Sequence, residues 1–288
     1  MKRLALYMLG AISLFAQTSC DDDLKNMENT ISTNFNLLWK EVDEKYCFFE
    51  YKKDSIKDWN AVYDEYYPKA MACTSEEEFF YVCSDMLNEL KDGHVNLYAD
   101  FDISSFDIYK GHPKGYSSDL FSNPNKYTDN IRYADGLLYK LLDDGNVGYL
   151  RYSSFSSMFV DSSLDIVLNH FKNTKGMIID VRGNGGGYVI LVELLASRFI
   201  SEKTLVSYNQ IKIGKGHNDF SKPEAVYFKP SSHVNYHGLV TILTDRGCYS
   251  ATNDFVLSMK GLPNVLVIGD QTGGGAGLPY SSELPCGW

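Results

Sequence analysis

The chain has 288 residues, 44% of them hydrophobic, which is enough to bury a sizeable core in one domain or two. Its 37 acidic and 27 basic side chains give a formal charge of −10 with no basic stripe, which argues against nucleic acid as a partner because phosphate would repel it. Beyond Cys20 the cysteines are Cys47, Cys73, Cys83, Cys248 and Cys286, odd in number and without a CxxC pair, so neither a disulfide framework nor a zinc site follows.

The first element is a targeting segment. Lys2 and Arg3 precede the apolar stretch from Leu4 to Ala16, which is too short to span a bilayer and reads as a signal peptide. Gln17-Thr18-Ser19-Cys20 resembles a bacterial lipobox, with Cys20 as the lipidated first residue of the mature protein; Gln17 departs from the usual aliphatic residue. An ordinary secretory signal with an incidental cysteine is the alternative. Asp21, Asp22 and Asp23 fit either a surface-export signal of lipoproteins or a solvated tether. The expected location is the cell envelope, as an outer-membrane lipoprotein anchored by its lipid, with surface exposure open. Removing residues 1–19 takes Lys2 and Arg3 away and moves the charge from −10 to −12.

Residues 30–92 read as helical. Phe35, Leu38, Trp39, Val42 and Tyr46 form one apolar stripe, and Ile56, Trp59, Val62, Tyr63 and Tyr66 form a second. Thr74-Ser75-Glu76-Glu77 opens a third helix as a capping box, and Gly93 is expected to end it as a left-handed cap. From 96 to 145 the pattern is mixed, except that Asp144-Gly145 marks a hairpin between Leu137–Leu142 and Val147–Arg151.

Strand–helix alternation follows. Met177–Val181, Leu239–Leu243 and Asn264–Ile268 read as buried strands, with helices expected over 188–200 and from about Ser250 to Lys260. Short apolar runs each followed by a helix indicate an α/β fold with parallel pairing and helices covering the sheet.

Three loops could carry chemistry. Arg182-Gly183-Asn184-Gly185-Gly186-Gly187 lies between a strand and a helix, where glycines can turn backbone N–H groups into an anion-binding concavity. It fits neither the dinucleotide fingerprint nor a P-loop, which leaves an oxyanion hole or a tight structural turn. Thr244 to Thr252 places Ser250 at a strand-to-helix junction, where a serine serves either as an N-cap worth about 1 kcal/mol or as a nucleophile beside the Ala251 N–H. Lys91-Asp92-Gly93-His94 puts a histidine after a helix end, as a surface residue or a catalytic base.

Together these segments resemble the tail-specific (C-terminal processing) protease superfamily, which includes the tricorn protease core. The resemblance rests on Leu90–His94, Gly148-Tyr149-Leu150, Gly176–Gly187, Ser250-Ala251 and Ile268–Gly275, in that order, across most of residues 30–280. It implies a crotonase/ClpP-like core of parallel β-α-β units behind a small N-terminal helical domain, acting on peptide or protein substrates without cofactor or metal. It makes Ser250 the acylated nucleophile and places oxyanion donors at the backbone of Gly186, Gly187 and Ala251. The base of one family branch is a lysine at the position of Gly275; no lysine follows Lys260, so the resemblance turns to the tricorn-like branch, with His94 as general base and then general acid.

The implied division is 1–19 signal peptide, 20–29 lipidated tether, 30–95 helical domain, 96–145 mixed β connection and 146–288 catalytic core. The spacing between His94 and Gly148 leaves no room for the PDZ insert of many relatives. The glutamate that orients the histidine in the tricorn-like branch lies beyond Glu283, so the chain reads as C-terminally truncated with its third catalytic member absent. Asn253 also departs from the glutamate common in relatives. Two functions remain: a serine-type peptidase, or a non-catalytic peptide- or ligand-binding lipoprotein on the same fold. A nucleotide site in the glycine loop has little support. Oligomeric state is not legible.

Overall fold

The computed structural model describes residues 27–112, 115 and 130–288. Four helices come first: α1 (Ile31–Lys45), α2 (Phe49–Lys52), α3 (Trp59–Met71) and α4 (Glu76–Asn88). The starts of α1, α3 and α4 are set by side chains that accept orphan backbone N–H groups. Thr30 takes that of Thr33, Asp58 those of Asn60 and Ala61, and Ser75 that of Glu78. The capping box is shifted by one residue from the expected frame, because Glu78 reaches back to the N–H and hydroxyl of Thr74. The two stripes meet in one aromatic-rich cluster of Phe35, Trp59, Phe79 and Phe80, to which Leu284 and Trp288 are added from the other end of the sequence. Trp288 stacks on Phe79 at 5.4 Å, and the Cys286 N–H donates to Asn34 Oδ1.

The left-handed residue after α4 is Lys91 (φ 50), not Gly93 as expected. The Lys52 ammonium steadies this exit by donating to the carbonyls of Leu90 and Lys91, just beyond the helix end. Val95–Tyr98 forms no strand; only a Tyr98–Ile103 bridge is present there.

The rest is an α/β unit. A six-stranded sheet has the order β1-β2-β3-β4-β7-β8, with β1 (Arg132–Ala134), β2 (Leu137–Leu142), β3 (Val147–Tyr152), β4 (Gly176–Asp180), β7 (Leu239–Thr244) and β8 (Val265–Gly269). β1, β2 and β3 are antiparallel, joined between β2 and β3 by the turn at Asp143–Gly145, whereas β3, β4, β7 and β8 are parallel. Leu150 pairs with Ile179, and Ile179 with Ile242, so three fully buried side chains form a row across the central strands. Three helices serve the sheet: α5 (Asp161–His170), α6 (Ile190–Ala196) and α7 (Ala251–Lys260). Their apolar residues, Leu164, Val167, Leu195 and Phe255 among them, join those of the strands in the larger core. A separate hairpin of β5 (Thr204–Asn209) and β6 (Glu224–Phe228) packs β5 beside α7.

Parallel register has a direct consequence. Asp180 lies beside Leu243, and Thr244 beside Gly269, so β4, β7 and β8 end at one edge. The loops leaving them, Val181 to Val189, Asp245 to Ser250 and Asp270 to Gly277, therefore emerge together, the usual place for a site in a parallel sheet.

Candidate active site

The glycine loop is held from below by buried polar groups. Asp180 ends β4 with no exposure and accepts from Arg182 Nε (2.9 Å), Arg182 Nη2 (2.7 Å) and the Tyr149 hydroxyl (2.8 Å). Burial alone would raise its pKa, but Arg182, Arg151 and Tyr149 reverse that and hold the carboxyl below its ordinary value. Asn184 is also fully buried. Its side-chain oxygen accepts the N–H groups of Phe155 (3.3 Å) and Gly186 (3.0 Å), and its Nδ2 donates to the Tyr152 carbonyl (3.0 Å). Asp245 ties this loop to the next, accepting at Oδ1 from the N–H groups of Gly183 (2.7 Å) and Gly247 (3.0 Å).

These anchors press two glycines into contact with their surroundings. A Cβ on Gly186 (φ 98) would lie 2.6 Å from the Tyr249 carbonyl oxygen and 2.8 Å from Ser250 Cβ. One on Gly187 (φ 141) would lie 2.3 Å from the Phe155 carbonyl carbon. No other residue type could let the loop approach the Ser250 turn so closely.

Ser250 stands at the head of α7 with φ 55 and ψ −125, and its hydroxyl makes no cap hydrogen bond. The N-cap role is thus unfilled by the side chain. A non-glycine residue in this region costs on the order of 1–3 kcal/mol and persists only when its neighbours fix it. They do so here through the backbone: the Ser250 N–H donates to Gly274 O (2.9 Å), the Gly273 N–H to Cys248 O (3.0 Å) and the Tyr249 N–H to Asn184 O (3.1 Å). Ala251 follows as the first residue of α7, so its N–H has no intrahelical acceptor. The Gly186 N–H, by contrast, is committed to Asn184. Of the three expected oxyanion donors, Gly186 therefore has its N–H already engaged, and what it supplies is close approach.

The Asp92-Gly93-His94 loop folds onto this turn from the helical side. The His94 ring packs edge-to-face on Tyr249, with centroids 4.9 Å apart. Gly93 is also in close quarters, its Cβ position 3.3 Å from Tyr249 Cζ. Burial lowers the pKa of His94, while the carboxylates of Asp92 and Asp254 pull it back upward. Asp254, one turn along α7 from Ser250, is itself raised by burial, against the side chain of Asn253 and the charge of His94. Asn253 in turn accepts from the Thr272 hydroxyl of the third loop (2.7 Å). A cleft lined by Lys91, Ile108, Lys110, Arg246 and Gly273 opens beside these loops.

Ser250, His94, Gly186, Gly187 and Ala251 are thus gathered into one region from three loops. Cys20, the expected lipidation site, and the rest of residues 1–26 lie outside the described residues. Among the described residues no cluster of three or more His, Cys, Asp or Glu could hold a metal ion. Asn184, Asp245, Asp92 and Tyr249 went unread in the sequence, since each acts through partners distant along the chain.

A parallel α/β scaffold that presents an unbonded serine hydroxyl in a strained turn at a helix head, beside a glycine loop, defines a serine-hydrolase class of site. Comparison with known proteins narrows it. Residues 146–288 match peptidase family S41, and residues 27–88 match the tricorn protease C1 domain. A crystal structure of a candidate peptidase from Parabacteroides merdae ATCC 43184 is 44% identical, covers 91% of this chain and 82% of its own, and superimposes with a TM-score of 0.85. The carboxy-terminal processing protease CtpB of Bacillus subtilis (strain 168) is 28% identical over 136 residues, 47% of this chain and 26% of its own length. The matched region thus spans about a quarter of that relative. Mature CPAF complexed with lactacystin shares the fold at 12% identity, with a TM-score of 0.65 over 88% of this chain and 87% of its own. The chain belongs to peptidase family S41, a family of serine-type peptidases, and its helical region is of the tricorn C1 type.

Proposed function

We propose that this chain hydrolyses peptide bonds through an acyl-enzyme on Ser250, with His94 as the base that takes the hydroxyl proton. The observation that carries the reading is the Ser250 backbone at φ 55, ψ −125, with its hydroxyl free of the helix cap it is placed to make. In this reading the bond from Ser250 Oγ to the scissile carbonyl carbon forms as His94 accepts the proton. The carbonyl oxygen becomes an oxyanion facing the N–H groups of Gly187 and Ala251. Collapse expels the amine, which takes its proton from His94, and water repeats the sequence to release the acid. Burial of His94 supports the base role, because it keeps the imidazole neutral to lower pH.

Covalent labelling of the full chain by a fluorophosphonate probe tests this. Labelling at Ser250, lost in Ser250→Ala and strongly slowed in His94→Gln, is the expected result. A folded chain that takes no label, yet still binds peptide, would make it a binding protein on the same scaffold. Anchoring at the cell envelope through Cys20 is proposed on the sequence alone. It is tested by incorporation of an alkynyl fatty acid, expected to vanish in Cys20→Ala.

A further inference from the structure

The Asp92 carboxylate is buried with 5% exposure, and each of its oxygens accepts two hydrogen bonds. Oδ1 takes the His94 N–H (3.0 Å) and the Tyr249 hydroxyl (2.7 Å). Oδ2 takes the Tyr46 hydroxyl (2.6 Å) and the Lys52 ammonium (3.1 Å). Four donors fill what a carboxylate can accept. Their origins matter more than their number. Tyr46 follows α1, Lys52 ends α2, His94 is the residue read as the base, and Tyr249 precedes the residue read as the nucleophile. One carboxylate thus touches both helical anchors and both halves of the site, across 157 residues of sequence between Asp92 and Tyr249.

We infer that Asp92 is a positioning residue: its two oxygens lock the His94 loop onto the Ser250 turn and fasten both to the N-terminal helices. The inference rests on the reading of Ser250 and His94 given above. An unpaired buried carboxylate is costly, so each of its four partners is held in place by the charge it satisfies. Tyr249 cannot swing away without taking one of the two donors from Oδ1, and the edge-to-face contact with His94 travels with it. The bare Gly93 between Asp92 and His94 lets the loop lie flat against the Tyr249 ring. On the other side Tyr46 is wedged edge-to-face on Phe49, and Lys52 also binds the carbonyls that end the α4 region. Docking of α1 and α2 and alignment of the base with the nucleophile are therefore one event.

The test uses the full chain with three substitutions: Asp92→Asn, Tyr249→Phe and Tyr46→Phe. The phenylalanine variants remove one hydroxyl each and keep the fold if Asp92→Asn does not. The readouts are the saturable rate and half-saturation constant of fluorophosphonate labelling, and the His94 titration followed by NMR. The charged and titratable groups facing His94 are Asp92, Asp254 and Tyr249. In each variant the limiting rate is expected to fall, towards the 10²-fold that a misplacement of about 1 Å costs, with half-saturation little changed. The His94 pKa should fall in Asp92→Asn, since a carboxylate that favours imidazolium is gone, and should hold in Tyr46→Phe. Wild-type labelling rates in both phenylalanine variants, at unchanged melting temperature, would overturn the inference while leaving the peptidase reading intact. If no variant and no wild-type chain is labelled, the peptidase reading falls, and an unshifted His94 titration in Asp92→Asn would then overturn the positioning role as well.

Discussion

Gly186→Ala presses on a point where the glycine loop and the Ser250 turn touch. The added Cβ would sit 2.6 Å from Tyr249 O, 2.8 Å from Ser250 Cβ and 2.9 Å from Ala251 N, on a backbone at φ 98. Relief needs a shift of roughly 1 Å in one of two segments, and neither is loose. Asn184 and Asp245 hold the glycine loop, and Gly274 holds Ser250. Overpacking of this kind costs about 1–3 kcal/mol, and a left-handed alanine adds about 1–2 kcal/mol. At about 2–4 °C per kcal/mol, the melting temperature should drop by roughly 5–20 °C. Whatever fold survives carries a displaced Ser250, for which a loss on the order of 10²-fold in acylation is expected. The assay is fluorophosphonate labelling rate beside a thermal melt, with Gly185→Ala as control, since a Cβ there meets nothing within 4 Å. A Gly186→Ala protein that melts and labels like wild type, or a Gly185→Ala protein equally damaged, would refute the reasoning.

Three further outcomes follow from the same geometry. Ser250→Gly and Ser250→Ala both abolish labelling, but glycine relieves the φ 55 backbone, so it should be the more stable by about 1 kcal/mol in urea unfolding; the opposite order would remove strain from the account. Asn184→Ala strands the N–H groups of Phe155 and Gly186 at about 1–3 kcal/mol each, so it should melt well below wild type, and a neutral result would show that water replaces the side chain. Because burial depresses the His94 pKa, its neutral form persists below the usual value of about 6.5, and the acid limb of labelling should lie there. Asp254→Asn removes a carboxylate that favours imidazolium and should move that limb lower still, so a limb that stays or rises speaks against His94 as the base.

Legibility in the sequence followed the physics of each element. Central strands such as Gly176–Asp180 and Leu239–Thr244 are apolar runs, and their pairing was visible because burial leaves a compositional trace. The β5–β6 hairpin left none: it lies largely exposed, and its polar and aromatic residues resemble a loop. Helix α5 was also unread: its Asp161 and Asp165 face Arg198 rather than solvent alone, which blurs its polar face. At the site, glycines and a serine at a strand–helix junction carry local signals. The buried carboxylates do not, since Asp92 and Asp245 look like loop aspartates until their partners across the fold are known. Lys91 in the left-handed role shows the same limit; Gly93 was the natural candidate by type, but close approach to Tyr249 is what occupies it.

The aromatic cluster of the helices has an implication for the order of folding events. Its first and last contributors come from opposite ends of the described chain, and the bond from the Cys286 N–H to Asn34 joins residues 252 apart. The equilibrium penalty for so long a closure is mild, about 0.6 kcal/mol for each doubling of length. The kinetic penalty is larger, because such contacts reward the chain only after everything between them is placed. The helices therefore cannot finish their own core early and wait for the sheet. An isolated fragment ending after α4 should behave as a loosely packed helical ensemble, and the helices and the sheet should melt as one cooperative unit.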